Sequence, residues 1–347
     1  EDATVRVVDP AILPGIPVKP RTMLNLLLGI VLGGMLGVGI AFLREYLDET
    51  VHTREDVQAA TRGAPVLGMI PRIRKAVGSS GRAAQAGTPG ELNSRLVAGR
   101  DPRNPVSEAY RGLRTNLTFA NPDHPPQTIV ITSELPQDGK STSAANLCIT
   151  LAQQGIKVLS VDADLHRGVL NHVFDTPREP GLTTILTGKC GIAEAILRID
   201  LGESGVLDFM PSGSYPPNPA EILGSQRMRS LIEALEERYD LIIIDTPPLT
   251  VVTDAAVLGT KADGVLLIAR ANSTEKGALT YAVEQLKNVR ATILGSVIND
   301  VDFRRDSRYY SAYGKYGYYY HYYYADNEKR RKREGKKEKG AGAKAKV

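Results

Sequence analysis

The sequence predicts an α/β domain built on a mostly parallel sheet flanked by helices, preceded by one transmembrane helix and followed by a disordered tyrosine-rich tail. Three observations carry that prediction. Short apolar, β-rich runs alternate with helical patterns, at Thr128–Thr132, Lys157–Asp162, Leu241–Asp245, Gly264–Ala269 and Ile293–Ile298. This alternation is the pattern of parallel strands covered on both faces. The stretch Met23–Leu43 holds 21 residues without a charge. Between Tyr309 and Tyr324, ten of sixteen residues are tyrosine, a low-complexity composition unlike any packed core.

Taken in order, residues 1–22 place Pro10, Pro14, Pro17 and Pro20 at intervals of three or four. That spacing favours an extended, extracytoplasmic approach over a helix. The chain begins at Glu1 rather than Met, which reads as a fragment or processed product. The apolar run 23–43 is long enough to cross a bilayer core. A signal sequence would have a shorter core and a small-residue cleavage site. Gly29, Gly33 and Gly37 share one helix face, either as a close-approach stripe or as the ordinary glycine content of membrane helices. Basic residues on the far side of this run (Arg72, Arg74, Lys75) lean toward a cytoplasmic C-terminal side. Residues 44–75 read as a small folded connector, and 76–104, rich in Gly, Ala, Ser and Pro, as a flexible linker. The main domain spans 105–302 and the tail 303–347.

Composition excludes some functions. A net charge of +4 is too small to imply nucleic-acid binding, and the excess sits in Ala325–Val347, with ten Lys/Arg against four Asp/Glu. Cys148 and Cys190 show no CxxC spacing and read as free thiols of a reducing compartment.

The run Thr128–Thr132 leads through Ser133-Glu134-Leu135-Pro136-Gln137-Asp138-Gly139-Lys140-Ser141-Thr142 into an Ala- and Leu-rich helix. This is a P-loop in its strand–loop–helix context, although Glu134 stands where the first glycine is usual. Backbone N–H groups would cradle phosphates, Lys140 would reach the β/γ oxygens, and Ser141 would offer its hydroxyl to Mg²⁺. Two further strands end in acid, one at Asp162-Ala163-Asp164 and one at Asp245-Thr246-Pro247. Ligands of open α/β sheets bind at such strand ends, and a few carboxylates beside a triphosphate suit a hard cation. Asp at a strand end is also an ordinary cap or turn residue. Three acids in this order after a P-loop favour a nucleotide site.

These segments resemble the bacterial tyrosine kinases that pair with chain-length regulators of exopolysaccharide and capsule synthesis. Pro136 matches the proline of that family's P-loop. Asp162 and Asp164 match its Asp-x-Asp motif, and Asp245 with Pro247 its Asp-x-Pro motif. Glu108, Arg111 and Arg114 match a Glu-x-x-Arg-x-x-Arg helix that packs subunits into a ring. The proline-rich approach, the single membrane helix and the connector resemble the last span and junction of the regulator half. One position departs: where the family usually has Arg after Asp164-Leu165, this chain has His166, followed by Arg167.

The resemblance implies a protein-tyrosine autokinase of the bacterial inner membrane with its kinase domain cytoplasmic, using ATP and Mg²⁺. Nucleotide contacts would come from Pro136, Asp138, Gly139, Lys140, Ser141, Thr142 and Asp245. Ser141, Asp162, Asp164 and Asp245 would hold the metal. Lys140, Asp162 and Asp164 would be catalytic, and the choice of base between the two aspartates stays open. The acceptors would be Tyr309, Tyr310, Tyr313, Tyr316, Tyr318, Tyr319, Tyr320, Tyr322, Tyr323 and Tyr324. Implied partners are other copies in a ring-like homo-oligomer, the membrane, a tyrosine phosphatase and polysaccharide polymerisation or export proteins. Two other classes compete. A partitioning-type ATPase would carry a second lysine where Leu135 stands, and a nucleotide-binding scaffold would not need the full acidic set.

Overall fold

The computed structural model describes residues 21–73, 95–101, 104–120, 125–202 and 205–303, in two units divided between Glu49 and Thr50. The described part of the first unit is one helix, α1 (Thr22–Tyr46), with no buried residue. Its 25 residues extend slightly past the expected limits at both ends. At 1.5 Å per residue they run roughly 37 Å, more than a bilayer's hydrocarbon core. The helix is long and apolar enough to cross a membrane.

The second unit holds an eight-stranded sheet. Its strands are β1 (Val66–Pro71), β2 (Thr128–Ser133), β3 (Val158–Asp162), β4 (Leu197–Asp200), β5 (Val206–Met210), β6 (Leu241–Asp245), β7 (Gly264–Arg270) and β8 (Ile293–Val301). They lie in the order β1-β8-β7-β2-β6-β3-β5-β4. All neighbours are parallel except the β4–β5 pair at one edge. Every residue of the central strands β2, β3 and β6 is buried, which is why they read as unbroken apolar runs.

Successive side chains of these strands enter opposite cores. Ile129 and Ile131 of β2 pack with α3 (Val97–Arg100), α4 (Pro105–Thr118) and α5 (Lys140–Ala152). Val130, between them, joins the other face, covered by α7 (Leu182–Leu186), α9 (Gln226–Glu236), α10 (Asp254–Gly259) and α11 (Lys276–Asn288). Two short helices, α6 (Leu170–Phe174) and α8 (Pro219–Gly224), complete these layers. Helix α4 starts where Pro105 fixes the first turn and the Asn104 side chain accepts from Val106 N at 3.0 Å. Val106, Tyr110, Leu113 and Leu117, at helical spacing, form its buried stripe. Fully buried Tyr110 donates its hydroxyl to Ser143 Oγ at 3.4 Å, tying α4 to α5.

Two sequence boundaries change. The connector is not a fold of its own: β1 pairs with β8 inside the main sheet, and α2 (Arg54–Ala60) packs on the same edge. The linker expected over 76–104 includes residues that pack. Leu96, Val97 and Ala98 are buried, Ala98 N donates to Asn146 Oδ1 at 3.0 Å, and Gln153 Nε2 donates to Ala98 O at 2.8 Å. The extended approach over 1–20, most of the linker and the tyrosine cluster 309–324 lie outside the described residues.

Candidate functional site

Strands β2, β6 and β3 lie side by side, so their C-terminal ends bring three loops together. Asp162 stands directly opposite Asp245 in register, and Ile131 opposite Asp245 on the other side. The β2 end continues into the loop Glu134–Gly139, which turns sharply into α5. Gln137 and Gly139 both take left-handed backbone conformations, at φ 70° and 92°. A Cβ on Gly139 would also strike the Asn299 amide, so glycine is required there twice over. Asn299 Nδ2 donates to Asp138 O at 2.7 Å, and Leu135 N donates to Asp138 Oδ2 at 3.1 Å. Pro136 sits exposed at the loop tip, flanked by exposed Leu135 and Gln137.

Gly139 provides no side-chain cap for α5, so the first N–H groups of the helix point into the loop unclaimed by a capping side chain. Lys140 and buried Ser141 open the helix, and Thr142 follows half-buried in the same first turn. Lys140 Nζ lies 3.2 Å from Asp164 Oδ2 and 3.4 Å from Ser141 Oγ. Burial alone would lower the Lys140 pKa. The charges of Asp245 and Asp164, with the Asp164 hydrogen bond, outweigh burial and raise it.

The three aspartates differ in environment. Both oxygens of fully buried Asp162 accept backbone N–H groups, from Asp164 at 3.1 Å and Leu170 at 3.3 Å. Burial, then the charges of Asp245 and Asp164, hold its carboxyl well above the usual range. Gly168 presses on it from outside, for a Cβ there would come within 2.6 Å of Asp162 Oδ2. Asp164 turns Oδ2 to Lys140 and accepts with Oδ1 from His166 N at 3.3 Å and Arg167 N at 2.8 Å. Asp245 is fully buried, and neither oxygen meets a hydrogen-bond donor in good geometry among the described residues. Burial pushes its carboxyl up to about 6, against the pull of Lys140 and the nearby Ser141 hydroxyl.

The expected metal set, Ser141 with Asp162, Asp164 and Asp245, lies where β3 and β6 end and α5 begins. Among the described residues no three His, Cys, Asp or Glu side chains gather to hold an ion. Asp162 is committed to the backbone, whereas the orphaned Asp245 oxygens beside Ser141 suit a cation bound mainly through waters and phosphate.

Behind the loop lies an acidic pair. Buried Glu134 carries a carboxyl pushed up to about 7 by burial and by Asp138 and Glu275. Burial raises Asp138 to about 6. On α4, Glu108 and Arg111 form an exposed ion pair. Half-buried Arg114, on the same helix, donates to Thr150 O on α5 at 3.3 Å. Sequence reasoning passed over Asn299, although a polar residue ending an apolar strand is the available signal.

Comparison with known proteins fits this geometry. A family model described as an AAA domain matches residues 127–297, and GNVR, a G-rich domain on tyrosine kinases, matches residues 1–46. Tyrosine-protein kinase YwqD of Bacillus subtilis is 38% identical over 228 residues, which cover 66% of this chain and 92% of YwqD. The chain belongs to the bacterial tyrosine-protein kinases. The kinase domain of Escherichia coli tyrosine kinase ETK superposes with a TM-score of 0.64 at 32% identity, covering 72% of this chain and 95% of that domain. EpsB of Ralstonia solanacearum is 36% identical over 90% of this chain. This tyrosine-kinase chain spans about two fifths of the length of EpsB, with 41% of that protein covered.

Proposed function

We propose that the chain binds Mg-ATP on the Glu134–Ser141 loop and transfers the γ-phosphoryl group to tyrosines of its own tail, between neighbouring copies. The observation that carries this reading is Lys140 held 3.2 Å from Asp164 at the head of an uncapped helix, in a member of the tyrosine-kinase family. Phosphates would rest on the N–H groups from Asp138 to Thr142, with Pro136 at the loop tip. Lys140 would move from Asp164 to the β/γ oxygens.

Ser141 and Asp245, with Asp164 directly or through water, would hold Mg²⁺, which when bound offsets charge on the phosphates. In the transfer, the phenol oxygen of an incoming tyrosine bonds to the γ-phosphorus while the bond to the β–γ bridging oxygen breaks. ADP leaves, and the phenolic proton passes to Asp164 or Asp162. Asp164 is the better placed, because Asp162 is sealed by backbone donors and by Gly168.

The acceptors would be the cluster Tyr309–Tyr324, and Glu108 with Arg111 would contribute a contact between subunits. Helix α1 would anchor the chain in the inner membrane with the domain on the ATP-containing cytoplasmic side. Each tail phosphate adds about −1.5 to −2 charge, opposing the basic Ala325–Val347 segment and loosening the assembly. Through that cycle, together with a phosphatase and export proteins, the chain would tune polysaccharide length and export.

Mass spectrometry after incubation with Mg-ATP tests the core of this reading. Multiple phosphotyrosines in wild type and none in Lys140→Met are expected. Hydrolysis of ATP with no phosphotyrosine would replace the kinase with a partitioning-type ATPase.

A further inference from the structure

The turn after β3 reaches beyond the nucleotide loop to a neighbouring helix. The Asp164 carboxylate is held from two directions, by Lys140 on Oδ2 and by the backbone N–H groups of His166 and Arg167 on Oδ1. The side chain of His166 leaves this turn and places Nε2 3.0 Å from Asp254 Oδ2. Asp254 is 1% exposed and opens α10, whose Ala255, Ala256 and Leu258 are buried in the core. On the other side of the turn, Gly168 is pressed against Asp162 with no room for a Cβ. A side-chain pair thus fastens the loop after β3 to the first turn of α10, adding to the backbone bond from Ala163 N to Asp245 O at 2.8 Å.

We propose that the His166–Asp254 pair is a clasp that positions Asp164 while Lys140 is drawn away to nucleotide phosphate. The proposal rests on the nucleotide-binding part of the function above. Once Lys140 departs, the hydrogen bonds left to the Asp164 carboxylate among the described residues come from the two backbone donors of its own turn, so its position follows that turn's anchorage. A hydrogen-bonded pair that includes a buried carboxylate supplies such an anchor. An arginine at position 166 would also offer N–H donors to the Asp254 carboxylate, so it can serve as the conservative replacement in a test. His166 is a positioning residue, acting through Asp164.

The test uses the full chain with His166→Ala, His166→Arg, Asp254→Ala and the His166→Ala/Asp254→Ala double variant. The Mg²⁺ concentration needed for half-maximal binding of a fluorescent ADP is read in each, alongside kcat and KM for phosphotyrosine formation. His166→Ala is expected to raise the Mg²⁺ requirement about tenfold and to lower kcat about tenfold or more, with KM for ATP within about threefold. His166→Arg should restore both, and the double variant should be no worse than the worse single one. If His166→Ala does not fold, His166→Gln carries the same expectations. An unchanged Mg²⁺ requirement, additive single effects, or an arginine variant as impaired as alanine would each overturn the clasp. Wild type that binds Mg-ADP but forms no phosphotyrosine would refute the kinase reading, and the Mg²⁺ readout would still decide the clasp.

Discussion

The two ends of the same sheet treat buried polar groups in opposite ways. Where the central strands begin, every donor finds its acceptor. Gln127 N and Thr128 N both donate to Asp263 Oδ2, at 2.7 and 2.8 Å. Thr128 Oγ1 donates to Glu236 Oε1 at 2.6 Å, and Tyr239 donates its hydroxyl to Asp208 at 2.8 Å. Where the strands end, Asp245 keeps two orphaned oxygens, Glu134 keeps one, and Asp162 is buried among like charges. A satisfied network rigidifies a fold, while uncompensated buried charge costs stability and persists where chemistry uses it. The beginning of the sheet is built for stability, and its end holds the buried charge that the proposed nucleotide site would use.

Substitutions at each end should separate the two roles. The largest effect is expected from Lys140→Met, which should lower phosphotyrosine formation by about 1,000-fold or more in a radiolabel assay. Next comes Tyr110→Ala, a core position on α4 with no charge of its own. It empties a fully buried aromatic site and should cost about 3–5 kcal/mol in urea unfolding. Asp245→Asn should move the other way, stabilising the nucleotide-free chain by about 1–3 kcal/mol at pH 7.5 while weakening Mg²⁺-dependent binding. The sign follows from its carboxyl lying near 6 when folded and near the ordinary carboxylate value when unfolded. The folded chain then binds the proton more tightly. Its stability falls as pH rises from about 4 through 6, and the asparagine variant should flatten that slope in thermal melts. The smallest effect is expected from Asp263→Ala, which removes the acceptor of two partly exposed backbone donors and should cost about 0.5–1 kcal/mol without changing Mg-nucleotide affinity. Loss of binding in Asp263→Ala, or destabilisation by Asp245→Asn, would break the division between the two ends.

The sequence made the binding end more legible than the edges of the sheet. Strands β2, β3 and β6 are buried on both faces, so their central residues are mostly apolar and announced themselves. Strand β1 did not, because Gly68 and Pro71 lie within it and a neighbour distant in sequence, β8, supplies its pairing. Strands β4 and β5 form the antiparallel edge, and β4 alternates half-buried with exposed residues in only four positions, too few to read. In the site, local residues were visible because the loop itself spells Gly-Lys-Ser. Asn299 and Asp254 were not, since each acts across a long stretch of chain, 161 residues in the case of Asp138 and Asn299. The bond from Arg114 to Thr150 O on the neighbouring helix was hidden for the same reason, since 36 residues separate the two.

The pairing of β1 with β8 has a consequence for synthesis. Within this sheet, the strand made first must wait for the one made last, because Val66 pairs with Ser296 and Pro71 with Val301. Throughout translation of the intervening residues, the Val66–Pro71 segment has no lateral partner of its own. Non-local closure of this kind is slow, and an unpaired strand is a template for wrong partners. A nascent chain arrested before Val301 should therefore remain protease-sensitive at its leading edge and should recruit holding chaperones until that final strand is released.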